Sequence, residues 1–243
     1  MKHAKNVIVS PVIAISVAIF AALGAGAGGL PQGYTPLEYI ESTGKQYIKT
    51  GLKAASNSVG VEIRYQLTAS PSSKVGVFGA SKSPFLSFYQ DTGNANAGFY
   101  KWNQACATTV LPDLNAHTLT IKDCTFYIDG ALVKGPYSNE DWSSSSLELY
   151  LFACNEGSAK YTGKLRIYSC SFKNVIDANG NTVNAEFIPC RHPSDNKIGL
   201  YETVSGKFFG NVAGRGAFVA GPEVDGDFCN IHSRIFSLQP QEP

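Results

Sequence analysis

The chain has 243 residues, with 20 Lys and Arg against 19 Asp and Glu, a formal net charge of +1. So even a balance excludes a surface built as a whole for nucleic acid or another polyanion and leaves room only for a local patch. With 44% hydrophobic and 16% charged residues the chain is not disordered, and 24 Gly and 12 Pro beside a single Met point to a turn-rich β protein rather than a helical bundle.

Lys2, His3 and Lys5 open the chain. An apolar run from Val7 to Leu23 follows, broken by Ser10, Pro11 and Ser16, and Ala25-Gly26-Ala27 then has the small-x-small form of a signal-peptidase site. Residues 1–27 are expected to be a signal helix, either a cleaved signal peptide or an uncleaved signal anchor, since the run is at the short limit for crossing a bilayer. Both readings place the rest of the chain outside the cytoplasm, secreted or at the cell surface. Cleavage would remove Lys2 and Lys5 and tip the charge balance slightly acidic. Gly24, Gly26 and Gly29 fit the G-x-G-x-x-G spacing of a dinucleotide site. The strand, helix and acidic residue which that motif requires are missing, and Pro31 follows.

Residues 30–222 read as one β domain. Val59, Val61, Ile63, Tyr65 and Leu67 alternate with Gly60, Glu62, Arg64 and Gln66, the period-2 pattern of a half-buried antiparallel strand. Short apolar runs at 47–50, 75–80, 85–89, 98–102, 117–122, 125–128, 147–154, 164–172, 185–188, 198–201 and 207–209 read the same way. Asp129-Gly130 between Phe126-Tyr127-Ile128 and Ala131-Leu132-Val133 predicts a two-residue hairpin, and Asn179-Gly180 predicts another. More than ten short strands without helical periodicity imply a two-sheet sandwich or barrel. Residues 223–243 read as an appended tail, docked in part through Cys229 and Phe236.

Particular stretches add a resemblance. They begin with Tyr34-Thr35-Pro36-Leu37-Glu38-Tyr39-Ile40-Glu41-Ser42-Thr43-Gly44, followed by Phe126-Tyr127-Ile128-Asp129-Gly130 and Leu149-Tyr150-Leu151-Phe152-Ala153. Gly163-Lys164-Leu165-Arg166-Ile167-Tyr168, Glu186-Phe187-Ile188-Pro189, Gly206-Lys207-Phe208-Phe209-Gly210 and Gly216-Ala217-Phe218-Val219 come after them in order. Together they resemble a concanavalin A-like lectin/glucanase module, the laminin G-like jelly roll found in bacterial surface and phage proteins. The resemblance runs from about Tyr34 to Pro222 and implies an all-β, two-sheet antiparallel jelly-roll sandwich. Its members include lectins, glucanases, adhesion modules and structural caps, so the fold leaves the function open.

Glucanases of that group carry acids at alternate positions of one strand. No strand here has them: Glu62 is followed by Arg64 and Gln66, and Glu148 by Tyr150 and Phe152. Asp225 and Asp227 with Glu223 form an acidic turn in the tail. His117 opens a strand and reads as a surface residue rather than a base. The chain is therefore expected to be no enzyme, with a glycoside hydrolase as the weaker alternative. The two leading readings are a glycan- or cell-surface-binding module and a structural protein whose sandwich binds other copies in a surface layer or phage-like particle.

Sugar recognition needs aromatic faces and amide or carboxylate groups on loops. The residues of that kind are Trp142, Tyr137, Trp102, Tyr100, Asp91, Asn94 and Asn155. Asp91, Glu140 and Asp141 have the oxygen donors that Ca²⁺ takes, but no spaced calcium loop is present, and no cofactor is expected. Six cysteines at 106, 124, 154, 170, 190 and 229, without C-x-x-C, favour disulfides over zinc in an exported chain. Hairpin counting pairs Cys106 with Cys124 and Cys170 with Cys190, which leaves Cys154 for Cys229. The resemblance implies the alternative that Cys170 and Cys190 are buried core thiols.

Overall fold

Alternation of more and less buried side chains marks Ile48–Ala54 and Gly60–Leu67, while Val75–Ala80 is buried throughout, in the computed structural model, which describes residues 29–54, 56, 58–81, 86–91, 96–101, 104–108, 112–123, 125–135 and 145–224. Only the backbone of 96–101 and 104–108 is described. The expected signal segment, 1–27, and the tail from 225 onward lie outside the described residues.

Among the described residues there are nineteen strands and no helix. The first half of the chain gives β1 (Thr35–Pro36), β2 (Ile40–Thr43), β3 (Ile48–Ala54), β4 (Gly60–Leu67), β5 (Val75–Ala80), β6 (Leu86–Asp91), β7 (Asn96–Lys101), β8 (Gln104–Thr108) and β9 (Ala116–Lys122). The second gives β10 (Thr125–Ile128), β11 (Ala131–Lys134), β12 (Glu148–Leu151), β13 (Cys154–Asn155), β14 (Ala159–Lys160), β15 (Lys164–Ile176), β16 (Thr182–Arg191), β17 (Ile198–Glu202), β18 (Lys207–Gly210) and β19 (Val219–Ala220).

Two runs of neighbouring strands are joined into one large sheet. The first is β11–β10–β9–β4–β15. The far edge of β15 is taken by β2 along Lys164–Ile167 and by β16 along Cys170–Ile176, and β16 leads on to β17 and β18. The second run is β8–β7–β6–β5–β12–β3. It returns to β15 through Val175 opposite Ala54 and Ile176 opposite Lys53. Among the described residues the sheet is mixed because β13 meets β5 in parallel, at Asn155 and Ala80.

The inward side chains of both runs make a single core. Val61, Ile63, Tyr65 and Leu67 of β4 are all buried, as the sequence pattern requires. Rings join the runs: Phe88 of β6 lies 5.6 Å from Tyr65 and 5.7 Å from Phe126, and Phe78 of β5 lies 5.9 Å from Phe172 of β15. Each such buried ring contributes about 1.5–3 kcal/mol over an exposed one.

The two predicted hairpins come out differently. Asp129 and Gly130 have φ of 52° and 77° and connect Ile128 directly to Ala131, a tight turn whose left-handed backbone suits this residue pair. Around Asn179-Gly180 the turn is longer than the predicted two residues, because Ile176 pairs with Thr182. The Asp177 carboxylate organises this loop by accepting from the amides of Asn179 and Asn181, both at 2.9 Å.

Candidate binding groove

Strict alternation along Leu165-Arg166-Ile167-Tyr168-Ser169-Cys170-Ser171-Phe172 would point Ser169 inward. The pairing of β15 with β4 instead shifts register between Ile167 and Ser169. Leu165, Ile167, Cys170 and Phe172 are therefore buried, while Tyr168, Ser169 and Ser171 remain on the outer face. A bulge of this kind re-aims side chains locally.

Beside the bulge lies a groove of about 270 Å³, walled by Glu62 and Arg64 of β4, Tyr168, Ser169 and Ser171 of β15, and Glu186 of β16. Leu37, Ile188, Pro189 and Val224 give it an apolar end, and Glu38 joins the lining. Gly60 faces Lys173 and Arg64 faces Ser169, so Glu62 sits level with Ser171, and Ser171 in turn faces Glu186. Three adjacent strands thus carry Glu62, Ser171 and Glu186 in one row. With strands about 4.8 Å apart, the two glutamates are separated by roughly 10 Å between Cα atoms.

Neither carboxylate has a hydrogen bond or ion pair among the described residues. Burial pushes the Glu62 carboxyl above the usual range, and Lys173 holds it back in part. Burial also raises Glu186, and the nearby Glu202 adds to the rise. Arg64 does not neutralise them; its guanidinium stands over the Tyr168 ring, 5.3 Å from the centroid. Tyr168 donates its hydroxyl to Gln66 Oε1 at 2.5 Å. Outward from the groove, Arg166 bonds Glu41 at 2.7 Å and covers Tyr39 at 4.4 Å, while Tyr39 and Tyr168 meet edge to face at 5.3 Å. A polar and aromatic strip therefore extends the groove along β15.

Among the described strands, no single strand carries acids at alternate positions. The converging pair arises across strands, which a reading of single strands does not reach. The row depends on register between residues more than a hundred positions apart.

Of the loop residues expected to hold a ligand, Asp91 and Asn155 are the two whose side chains are described. Asp91 ends β6 and lies 4.0 Å from Lys74 Nζ. Asn155, expected on a rim, is instead buried: its Nδ2 donates to the Glu148 carbonyl and its Oδ1 accepts from the Gly157 amide, both at 2.9 Å. One end of that amide is committed to the following turn and the other to the β12 backbone, so the side chain is buried rather than on a rim. Tyr100 lies in β7, where only the backbone is described, and Asn94, Trp102, Tyr137 and Trp142 lie outside the described residues. No group of three or more His, Cys, Asp or Glu among the described residues is placed to hold a metal ion.

Cys154, Cys170 and Cys190 are buried thiols. The expected Cys170–Cys190 bridge is corrected by register, since Cys170 stands opposite Phe187. Three residues further along a strand is about 10 Å, beyond the roughly 7 Å Cα limit of a disulfide. Cys154 donates its thiol towards the Phe78 carbonyl at 3.6 Å and is a free thiol. The Cys106 side chain, Cys124 and Cys229 lie outside the described residues.

Family models give no match to this chain, and neither do the curated proteins.

Proposed function

We propose that the chain is a glycan-binding module that holds its ligand in the groove between β4 and β16 without cleaving it. The observation that carries this reading is the Glu62–Ser171–Glu186 row: carboxylate acceptors with no partner among the described residues face one cleft beside the Tyr168 ring. Sugar hydroxyls supply donors for such acceptors, and the C–H face of a pyranose packs on an aromatic ring. The two strand runs, stacked through Phe88, Tyr65, Phe78 and Phe172, are in keeping with a jelly-roll sandwich of the concanavalin A-like kind. The N-terminal sequence supports a site of action outside the cytoplasm.

A glycan array on the full chain, repeated with Tyr168→Ala and Trp142→Ala, tests the reading. Binding lost with Tyr168→Ala and kept with Trp142→Ala assigns the ligand to the groove. The reverse assigns it to the loops, and no binding to any glycan ends the proposal.

Cleavage of the glycan is a second reading, favoured by two glutamates lining one groove. Inverting hydrolases set their two carboxyl groups about 6.5–9.5 Å apart. Binding alone is preferred because neither glutamate is oriented by a hydrogen bond and burial raises both, whereas an acid–base pair needs environments that drive the two apart and hold them in place. Reducing sugar released from a bound polysaccharide would establish cleavage.

A further inference from the structure

The groove contains more negative charge than it neutralises. Glu38, Glu62 and Glu186 line it against the single guanidinium of Arg64, which is turned onto Tyr168 and makes no ion pair with them. Lys173 acts on Glu62 from beside the groove without closing to ion-pair distance, and Glu202 adds negative field behind Glu186. The Glu202 carboxylate is itself occupied, accepting from the Val204 amide at 2.8 Å and the Ser205 amide at 2.6 Å.

Half-burying an anion without a partner costs free energy, and a chain selected for stability alone would pair or replace it. Two such anions, one strand apart on either side of a serine, are suited to a ligand that brings its own cations. A neutral sugar offers only hydroxyl donors. A protonated amine offers three donors and a charge, and forms the stronger charge-assisted bond to a carboxylate. Tyr168 and the strip through Arg166 and Tyr39 add a face for a sugar ring and length for neighbouring rings.

We infer that the preferred ligand is a glycan whose sugars carry free ammonium groups, a hexosamine oligomer, with ammonium groups bonded to Glu62 and Glu186 and a ring against Tyr168. This rests on the glycan reading of the groove and narrows its ligand class. Acetylation of the amines removes the charge, so the N-acetylated oligomer binds as a neutral sugar does.

Calorimetric titration of the full chain tests this with three probes: a glucosamine hexamer, a glucose hexamer of the same linkage, and hexalysine. The titrations are run from about pH 5 to about pH 7, a window that spans the rise of the two glutamates above the ordinary carboxylate range while keeping sugar ammonium groups present. The glucosamine hexamer is expected to bind about tenfold or more tighter than the glucose hexamer. That advantage should shrink as salt rises from about 0.05 to about 0.5 M. Glu62→Gln and Glu186→Gln, which keep side-chain shape, should each remove most of it by weakening the glucosamine hexamer more than the glucose hexamer, with thermal melts confirming that both variants fold. Equal affinity for the two sugars overturns the cation inference and leaves the glycan reading standing. Hexalysine binding as tightly as glucosamine overturns the hexosamine assignment and the glycan reading together, as does failure of all three probes to bind.

Discussion

His117 Nδ1 lies 2.7 Å from Asp129 Oδ2, and its other ring nitrogen lies 2.8 Å from Asp113 Oδ1. One imidazole thus ties the tight turn of the β10–β11 hairpin to the loop before β9, with its ring against Tyr65. Partial burial works against the charged form, but the two carboxylates outweigh it and raise the His117 pKa. A raised folded value means the latch contributes fully below the unfolded value of about 6.5 and is lost as pH rises through the higher folded value. Thermal melts from about pH 5 to about pH 9 should show stability falling across that upper range. His117→Gln should flatten this part of the profile and cost about 1 kcal/mol at the acidic side, because both aspartates are half exposed.

Glu62 and Glu186 give the opposite kind of signature. Their carboxyls are raised by burial, so ionising them costs stability as pH climbs through the folded values. Glu62→Gln and Glu186→Gln are expected to stabilise the chain at neutral pH by up to about 1 kcal/mol, a gain that fades near pH 4 where both glutamates are protonated. Denaturant melts at the two pH values check it.

Burial raises the Cys154 thiol up to about 12 and Cys170 well above its ordinary value. Neither should react with a water-soluble alkylating reagent in the native chain, and both should react on denaturation. Peptide mass mapping after pulse labelling reads each site separately.

Gly199 of β17 faces Gly210 of β18, and a Cβ on Gly199 would overlap the Phe209 carbonyl oxygen and the Phe208 ring. A backbone oxygen cannot swing aside as a side-chain tip does. Gly199→Ala is expected to destabilise by about 1–3 kcal/mol or more. Phe172→Ala, which empties the space between Phe78 and Phe187, should cost about 3–5 kcal/mol.

The sequence reveals whichever strands have one wet and one dry face. From Val59 to Leu67 the alternation is complete, and β4 follows it residue by residue. The end of β15 was harder to read, because Lys173 and Asn174 interrupt the pattern with polar residues although pairing continues to Ile176. Asn155 misled in the other direction: a polar residue between apolar runs reads as a rim contact, yet it is buried and satisfied by local backbone. The Cys170–Cys190 pairing failed because counting outward from Asn179-Gly180 assumes a two-residue turn and an unbroken ladder, and the loop and bulge shift the count. The groove was not legible at all. Glu62 and Glu186 are far apart in the chain, and no local pattern encodes the register that aligns them with Ser171.

β15 borders β4 and then the end of β3 along one edge and β2 and β16 along the other, so partners from both ends of the domain converge on thirteen residues. None of those partners except β16 is close in sequence. The chain must be made almost to its end before this strand can be enclosed, and loop closure over such spans is slow. Assembly should therefore proceed over milliseconds to seconds rather than microseconds, leaving the edges of a half-built sheet open to strand exchange in the meantime.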